Sequence, residues 1–301
     1  MSILVSGNTG FVGVNLIRYL NDHLVKKEIV PLNLRSSWKK SLTKDAEVIV
    51  HLAGKAHDLK NASDPDAYYT VNYELTKDLY DSFLKSDATK FIFISSVKSA
   101  ADSLTGILDE KTIPKPDTHY GKSKLMAEEY ILKQPLPAGK TFFILRPCMI
   151  HGPGNKGNLN LLYQVVKKGI PYPLAGFHNK RSFLSIENLC FIITEIICRE
   201  DIPSGIYNVA DDEALSTNEV VTILSASLNK SPRLWHISPS LIRLVSKVGD
   251  TLHLPLTTER LNKLTESYVV SNQKIKSALG KSLPLSSKDG LKITGLSFQN
   301  S

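Results

Sequence analysis

The chain has 301 residues, 42% of them apolar and 22% charged, so it can bury a large core and is not predicted to be disordered. Its net charge of +8 indicates an anionic partner, but Lys and Arg are scattered along the chain, which favours a phosphate-bearing small ligand over nucleic acid. A basic surface that only aids solubility is the alternative. The sequence has neither a signal-peptide pattern nor an apolar run of about 18 residues, so we expect a cytoplasmic protein without membrane insertion.

The N-terminal segment predicts a strand, a tight turn and a helix. An apolar run at 3–5 precedes three evenly spaced glycines, and apolar residues then recur at helical spacing. In such a turn Gly7 allows the sharp bend, Gly10 lets backbone N–H groups approach a pyrophosphate, and Gly13 lets helix and strand pack closely. The predicted dinucleotide-binding turn comprises Gly7, Thr9, Gly10, Phe11, Val12 and Gly13.

A second strand is predicted in the segment EIVPLNLRSS. Proteins that bind NAD usually place an Asp or Glu at the end of this strand, where it binds the ribose hydroxyls. Asn33 occupies that place here, and Arg35 with Ser36 and Ser37 could instead bind a 2′-phosphate, so NAD and NADP both stay open. Only about ten residues then precede the next apolar strand, too few for a helix and another strand. We therefore expect one edge strand of the sheet to be missing or reduced.

Strands and helices then alternate along the chain as far as the segment KTFFILRPCMIHGPG. This alternation predicts a parallel sheet with helices on both faces, in which ligands bind at the carboxyl ends of the strands. The residues predicted at these ends are Leu52, Ala53, Gly54, Ser95, Ser96 and Pro147. Tyr120 and Lys124, in the segment YGKSK, open the helix after the Ser96 strand and lie on one helical face. We expect both side chains to reach the crevice at this edge of the sheet.

Six segments in chain order carry a family resemblance: GNTGFVG, VIVHLAGKAH, TVNYELT, FIFISSV, YGKSK and LRPCMIHGPG. Together they resemble the extended short-chain dehydrogenase/reductase superfamily, in its nucleotide-sugar epimerase/dehydratase branch. SSVKS and NKRSFLSIENL are most similar to bacterial 4-epimerases and 4-keto-6-deoxy-hexosamine reductases of surface-polysaccharide biosynthesis. The resemblance implies an α/β fold, with a Rossmann doubly wound parallel sheet in residues 1–150 and 183–210. A smaller C-terminal α+β domain, residues 151–182 and 211–301, would bind the nucleotide sugar.

The resemblance also implies a catalytic set of Ser96, Tyr120 and Lys124 with NAD or NADP as cofactor. Lys124 and an oxidised nicotinamide would lower the pKa of Tyr120, which then takes a proton from a sugar hydroxyl while hydride leaves the same carbon. Ser96 would hydrogen-bond the reacting oxygen, and Ser95 is the alternative for this role. Asn72 matches a family position that contacts the cofactor or orders the site.

Three further residues match the substrate-binding half of the family. Arg181 would bind the nucleotide diphosphate, because a guanidinium can bond a phosphate in bidentate fashion. Asn158 and Asn160 would contact the sugar nucleotide together with Ser96. We predict no metal site, since the histidines lack metal-ligand spacing.

The resemblance leaves two activities open. The first is a 4-epimerase acting on a UDP-hexose or UDP-N-acetylhexosamine through a 4-keto intermediate, and the second is an NADPH-dependent 4-reductase of UDP-4-keto-6-deoxy-hexosamines. Dehydration is disfavoured, because Val97 and Lys98 stand where dehydratases carry an acidic pair. A non-catalytic dinucleotide sensor is disfavoured because both Tyr120 and Lys124 are present. The family often forms a homodimer through the helices that bear Asn72 and Tyr120.

One later segment, SPSLIRLVSKVGDTLHL, is amphipathic. Its apolar positions include Leu241, Leu244, Val245 and Val248. We expect these side chains to pack in the core or at a protein interface rather than against a membrane.

Overall fold

The computed structural model describes residues 2–24, 27–35, 38–41, 46–55, 64–155, 157–252 and 256–300. The strands are β1 Ser2–Ser6, β2 Glu28–Leu32, β3 Ala46–His51, β4 Lys90–Ile94, β5 Ile107–Leu108, β6 Thr141–Pro147, β7 Met149–His151, β8 Phe183–Ser185, β9 Gly205–Val209 and β10 Val269–Val270. The α-helices are α1 Phe11–His23, α2 Pro65–Tyr68, α3 Leu75–Lys85, α4 His119–Lys133, α5 Asn158–Lys167, α6 Ile186–Cys198, α7 Thr217–Ser227, α8 Pro239–Leu252, α9 Thr258–Thr265, α10 Gln273–Leu279 and α11 Ser287–Ser297.

The main sheet is parallel, with the strand order β2-β1-β3-β4-β6-β9 in the described part of the chain. Strand β2 lies at one edge and pairs with β1, and the next strand in the described chain, β3, pairs with β1 on its other side. The described residues contain no strand beyond β2, which confirms the expected shortened edge. Pro31 pairs with Val5 within β2. A proline is tolerated there because an edge strand leaves one row of N–H positions unused.

Both faces of this sheet are covered by helices. Along β4, Ile92 packs in one apolar cluster while Phe91 and Phe93 pack in another, as the alternation of side chains across a strand requires. The first cluster includes buried residues of α1 and α6, and the second includes residues of α3 and α4. The predicted doubly wound α/β fold is therefore confirmed.

The predicted helix after β3 contains a segment that sequence periodicity did not indicate. Between α2 and α3 the chain forms a π-helix, Tyr69–Glu74, which carries Asn72. A π-helical turn widens the helix and is often found at functional sites. Asn72 is fully buried, so it does not lie on a solvated helix face.

The elements after β6 form two further apolar clusters, centred on α5, α7 and α11 and on α8 and α9. Short parallel pairs, β7 with β8 and β5 with β10, connect them to the rest of the chain. The division into a cofactor domain and a substrate domain stays a prediction.

The amphipathic segment forms α8, but the expectation of core packing is wrong for its apolar positions. Leu241, Leu244, Val245 and Val248 are all exposed, because the helix turns a different face, with Ile242, toward the core. Within the described ranges, none of the helices is both long and apolar enough to span a bilayer.

Candidate active site

The first glycine turn leaves room at the carboxyl end of β1. Gly7 has φ +70°, and a Cβ placed on it would lie 2.6 Å from the backbone nitrogen of Ala53. A Cβ on Gly13 would overlap the carbonyl of Gly7. Only glycine fits these two positions, because the first has a left-handed backbone and both face main-chain atoms.

The start of α1 fits an anionic ligand. Gly10 is the N-cap residue, no side chain caps the helix, and no acidic residue lies in its first turn. The N–H groups of that turn and the positive end of the helix dipole can therefore bind a phosphate. Thr9 and Gly10 are exposed, whereas Phe11 and Val12 pack partly against the core. A Cβ on Gly152, in the turn after β7, would lie 3.6 Å from the Phe11 ring, so the two turns meet at this edge of the sheet.

The residues at the end of β2 lie beside the glycine turn, because β2 pairs with β1. Asn33 and Arg35 are both exposed, and the Asn33 side-chain oxygen accepts a hydrogen bond from the Arg35 backbone N–H at 3.0 Å. Ser36 and Ser37, predicted to assist Arg35, lie outside the described residues.

The structure brings Ser96 and Tyr120 together. Ser96 caps the 3₁₀ turn Val97–Ser99 and hydrogen-bonds Tyr120, which lies in the first turn of α4. A Cβ on Gly121 would lie 2.8 Å from Pro116 Cβ and would overlap the carbonyl of Lys98. The glycine after Tyr120 therefore lets α4 approach the segment that carries Ser96.

Lys124 lies one turn further along α4 and is almost fully buried. Its Nζ donates to the carbonyl of Ile94 at 2.9 Å and lies 4.8 Å from the centre of the Phe93 ring. Gly54, at the end of β3, leaves space for the ammonium, since a Cβ there would lie 3.1 Å from Lys124 Nζ. Burial lowers the pKa of Lys124 to about 8, against the opposing charge of Glu128.

Burial dominates the electrostatics of Tyr120 in the chain without a cofactor. Burial raises the pKa of Tyr120, and the hydrogen bond from Ser96 only partly offsets this. In the chain alone the tyrosine is thus a neutral phenol, because desolvation disfavours the phenolate more than its neighbours favour it.

Asn72 joins the loop after β3 to α4. Its Oδ1 accepts from the Lys55 backbone N–H at 2.7 Å, and its Nδ2 donates to the Lys55 carbonyl at 3.2 Å and to Ser123 Oγ at 3.1 Å. These bonds use both the oxygen and the nitrogen of the Asn72 amide. In this structure Asn72 orders the segment around Gly54 and Lys124.

A buried ion pair that the sequence analysis missed supports the same region. Glu128 and Arg146 are both almost fully buried, with Arg146 Nε 3.0 and 3.1 Å from the two carboxylate oxygens. Ser95 and Ser99 also donate to Glu128. The Ser95 side chain is therefore directed into this network, whereas Ser96 contacts Tyr120. An arginine inside the apolar run FFILRPC was the available signal, because a buried Arg needs a buried carboxylate.

His51, also missed, holds the ends of β1 and β3 in one hydrogen-bonded chain. Thr76 Oγ1 donates to the carbonyl of Asn72, so it must accept from His51 Nε2 at 2.9 Å. Ser6 Oγ accepts from the Ala53 N–H at 3.3 Å and donates to His51 Nδ1 at 2.7 Å. Burial lowers the pKa of His51 to about 3, so the ring is neutral. Each polar atom in this chain then has a partner of the correct type.

The predicted substrate residues are placed less closely together. The Arg181 guanidinium bonds the Glu266 carboxylate at 3.1 Å and the backbone carbonyl of Lys263. Lys98, two residues after Ser96, stacks on the Tyr268 ring at 4.4 Å, and Tyr268 also pairs with Arg181 through the backbone. Burial lowers the pKa of Lys98, and the charge of Arg181 adds to this effect. Two cations thus lie near the Ser96 segment.

Other predicted positions lie around this edge. Pro147 ends β6, and the Leu52 backbone N–H donates to the Ser6 carbonyl at 3.2 Å. Asn158 begins α5, and Asn160 in the same helix accepts from Gln164 at 3.5 Å. Among the residues that the structure describes, no group of three His, Cys, Asp or Glu side chains could hold a metal ion.

Comparison with known proteins identifies the family. The model of the NAD dependent epimerase/dehydratase family matches residues 3–210. The chain belongs to this family. This match confirms three predictions: the family resemblance, the enzyme class and the use of a nicotinamide dinucleotide, NAD or NADP.

Among curated proteins, the UDP-glucose 4-epimerase of Vibrio cholerae is 30% identical, over 99% of this chain and 95% of its own length. The N-acetyl-alpha-D-glucosaminyl-diphospho-ditrans,octacis-undecaprenol 4-epimerase of Escherichia coli O157:H7 is 27% identical, over 91% of this chain and 84% of its own.

Solved structures confirm the fold. The UDP-N-acetylglucosamine 4-epimerase from Bacillus cereus has a TM-score of 0.77 at 20% identity, over 99% of both chains. The UDP-glucuronic acid 4-epimerase from Bacillus cereus, in complex with NAD, has a TM-score of 0.76 at 19% identity, over 100% of this chain and 99% of its own.

Proposed function

We propose that this protein is a 4-epimerase of nucleotide-linked hexoses, acting on a UDP-hexose or UDP-N-acetylhexosamine through a 4-keto intermediate. The observation that carries the proposal is the hydrogen bond between Ser96 and Tyr120, with the Lys124 ammonium one helical turn away at the same edge of the sheet. The relatives named above act as 4-epimerases, which supports the same reaction here.

The glycine turn and the start of α1 would hold the dinucleotide pyrophosphate. Bound there, the nicotinamide would supply the hydride acceptor and donor. Gly54 and Lys124 line the end of the neighbouring strand. A sugar ring bound there would lie against the nicotinamide. The space beside Gly7, which we call the cradle, and the uncapped N-terminus of α1 both fit a pyrophosphate.

In the proposed reaction Tyr120 acts as general base and then as general acid. Its phenolate takes the proton of the sugar 4-hydroxyl as C4 is oxidised, and its phenol returns a proton when C4 is reduced on the opposite face. Ser96 donates a hydrogen bond to the reacting oxygen. Because burial raises the Tyr120 pKa in the chain alone, the base form requires positive charge that the oxidised cofactor brings, added to that of Lys124.

Lys98 and Arg181 would bind the diphosphate of the substrate. Both are cationic and both contact Tyr268, Lys98 over its ring and Arg181 through the backbone. Arg181 is now paired with Glu266, so phosphate binding would have to compete with that ion pair. Asn158 and Asn160, at the start of α5, remain proposed contacts to the sugar nucleotide.

The test is a proton NMR assay of the purified protein with UDP-glucose and with UDP-N-acetylglucosamine. We expect interconversion with the respective 4-epimers without added reductant, because an epimerase returns the hydride in each turnover. If no nucleotide sugar is epimerised by protein supplied with NAD, the proposal is wrong.

A 4-reductase is the second candidate, favoured by the end of β2. Asn33 stands where a carboxylate would select NAD, and the exposed Arg35 beside it could pair with a 2′-phosphate. Oxidation of NADPH with a UDP-4-keto-6-deoxy-hexosamine, and no epimerisation, would establish this alternative.

A lipid-linked sugar diphosphate would be a second substrate class, because α9, which packs against α8, lies next to Arg181. Arg181 bonds the Lys263 carbonyl in α9, and the Escherichia coli relative is named for an undecaprenyl-diphosphate-linked sugar. Parallel assays with a UDP-N-acetylhexosamine and its polyprenyl-diphosphate counterpart would show which one this protein prefers.

A further inference from the structure

Helix α8 has three distinct faces. Ile242, Ser246 and Gly249 are buried and pack toward α9. A second side carries an apolar stripe whose members are exposed by 46% to 63%: Leu241, Leu244, Val245, Val248 and Leu252. Their spacing of i, i+3, i+4, i+7 and i+11 places them on one side of the helix over its whole length. A continuous exposed apolar surface of this kind indicates a binding surface.

The polar side of α8 is basic. Arg243 and Lys247 are both exposed, and helical spacing places Lys247 at the border of the apolar stripe and Arg243 on the side away from it. Residues 229–252 contain four basic side chains and a single acidic one. That residue, Asp250, has both carboxylate oxygens bonded by Thr258, at 2.9 and 2.5 Å. The exposed Trp235 precedes the helix. A basic face, an apolar face and a nearby tryptophan are typical of helices that lie in a bilayer interface.

Helix α8 lies next to the segment that carries the proposed diphosphate ligand Arg181. Arg243 stacks over the Phe177 ring at 5.7 Å, and Phe177 packs in the same apolar cluster as Ile242. Phe177 is four residues before Arg181, whose guanidinium bonds α9. The polar and buried sides of α8 therefore border the segment that carries Arg181.

We propose that α8 docks this protein on an anionic bilayer surface. The stripe enters the boundary between headgroups and acyl chains, while Lys247 at its border pairs with lipid phosphates. A second copy of the chain fits the same surface less well. A symmetric pairing of two α8 helices through the stripe would bring the Lys247 side chains at its border toward each other without an acidic partner from this helix, because Asp250 is already bonded to Thr258. This inference does not depend on which sugar the enzyme uses.

The experiment is cosedimentation of the full-length protein with phosphatidylcholine vesicles, with and without phosphatidylglycerol. The test variant is Leu244→Glu with Val248→Glu, which places two charges in the stripe. The matched control is Ser240→Glu with Thr251→Glu, which adds the same charge to the polar side of the same helix. All three proteins are first compared by circular dichroism and by gel filtration without vesicles.

We expect the wild type to sediment with the anionic vesicles, the control to retain most of this binding, and the stripe variant to bind about 30-fold more weakly or worse. Two outcomes would overturn the proposal: a wild-type protein that stays in the supernatant, or equal loss of binding in both variants, which would indicate charge attraction alone. A wild type that is dimeric without vesicles and a stripe variant that is monomeric would assign the surface to self-association instead. Binding to vesicles is measured without substrate, so it stands or falls separately from the epimerase proposal.

Discussion

His51 provides a quantitative prediction about the pH dependence of stability. Its pKa is lowered from an ordinary 6.5 to about 3 in the folded chain, because the ring is fully buried between Ser6 and Thr76. In the unfolded chain the same group gains a proton below pH 6.5, while the folded protein keeps it neutral. The contribution of His51 to stability is therefore complete above the unfolded pKa and is lost as the pH falls toward the folded pKa.

The magnitude follows from the difference between the two pKa values. Each pH unit below 6.5 costs about 1.4 kcal/mol until the folded pKa is reached. Lowering the pH from about 7 to about 5 should therefore remove about 2 kcal/mol from the free energy of unfolding through this one residue. Protonation would also place a hydrogen on His51 Nδ1, which now accepts the hydrogen bond that Ser6 donates.

The assay is urea unfolding, followed by circular dichroism, at both pH values. His51→Gln removes the titrating group, so this variant should lose about 2 kcal/mol less than the wild type over the same interval. His236→Gln is the matched control, because His236 is exposed and its replacement should leave the difference unchanged. Equal pH slopes for wild type and His51→Gln would refute the reasoning.

Three further changes test the site. Glu128→Gln leaves Arg146 buried without its carboxylate and should lower the free energy of unfolding by about 3 kcal/mol, and adding Arg146→Met should recover part of this in the same urea assay. Gly7→Ala should weaken dinucleotide binding at least tenfold in calorimetry, since its Cβ would clash with the β3 loop; unchanged affinity would contradict the proposed cradle. Ser96→Ala should lower kcat by about 100-fold or more, whereas Ser95→Ala should mainly lower stability; the reverse pattern would exchange their roles.

Local signals in the sequence predicted the fold and the main elements of the site. The glycine turn and the alternation of strands and helices are set by neighbouring residues, so they could be recognised without the structure. The pair of Tyr120 and Lys124 was found because a helix places residues four apart on one side. The shortened sheet edge followed from the few residues between β2 and β3.

Contacts between distant segments could not be predicted in this way. His51 meets Ser6 and Thr76 across 45 and 25 residues, and nothing in the local pattern selects these partners. The rise of the Tyr120 pKa in the chain alone was not foreseen, because the extent of burial is a property of the packed structure. The exposure of α8 was missed for a related reason. Its periodicity showed an apolar side, but the small residues Ser246 and Gly249, not the leucines, face the core.

The most direct test of the central claim is the turnover of nucleotide sugars by Tyr120→Phe. If Tyr120 is the acid and base, removing its hydroxyl should lower kcat by about 1,000-fold or more, while calorimetry shows dinucleotide binding close to that of the wild type. Turnover by Tyr120→Phe at a rate comparable to the wild type would contradict the assignment of this residue and the proposed reaction at this site.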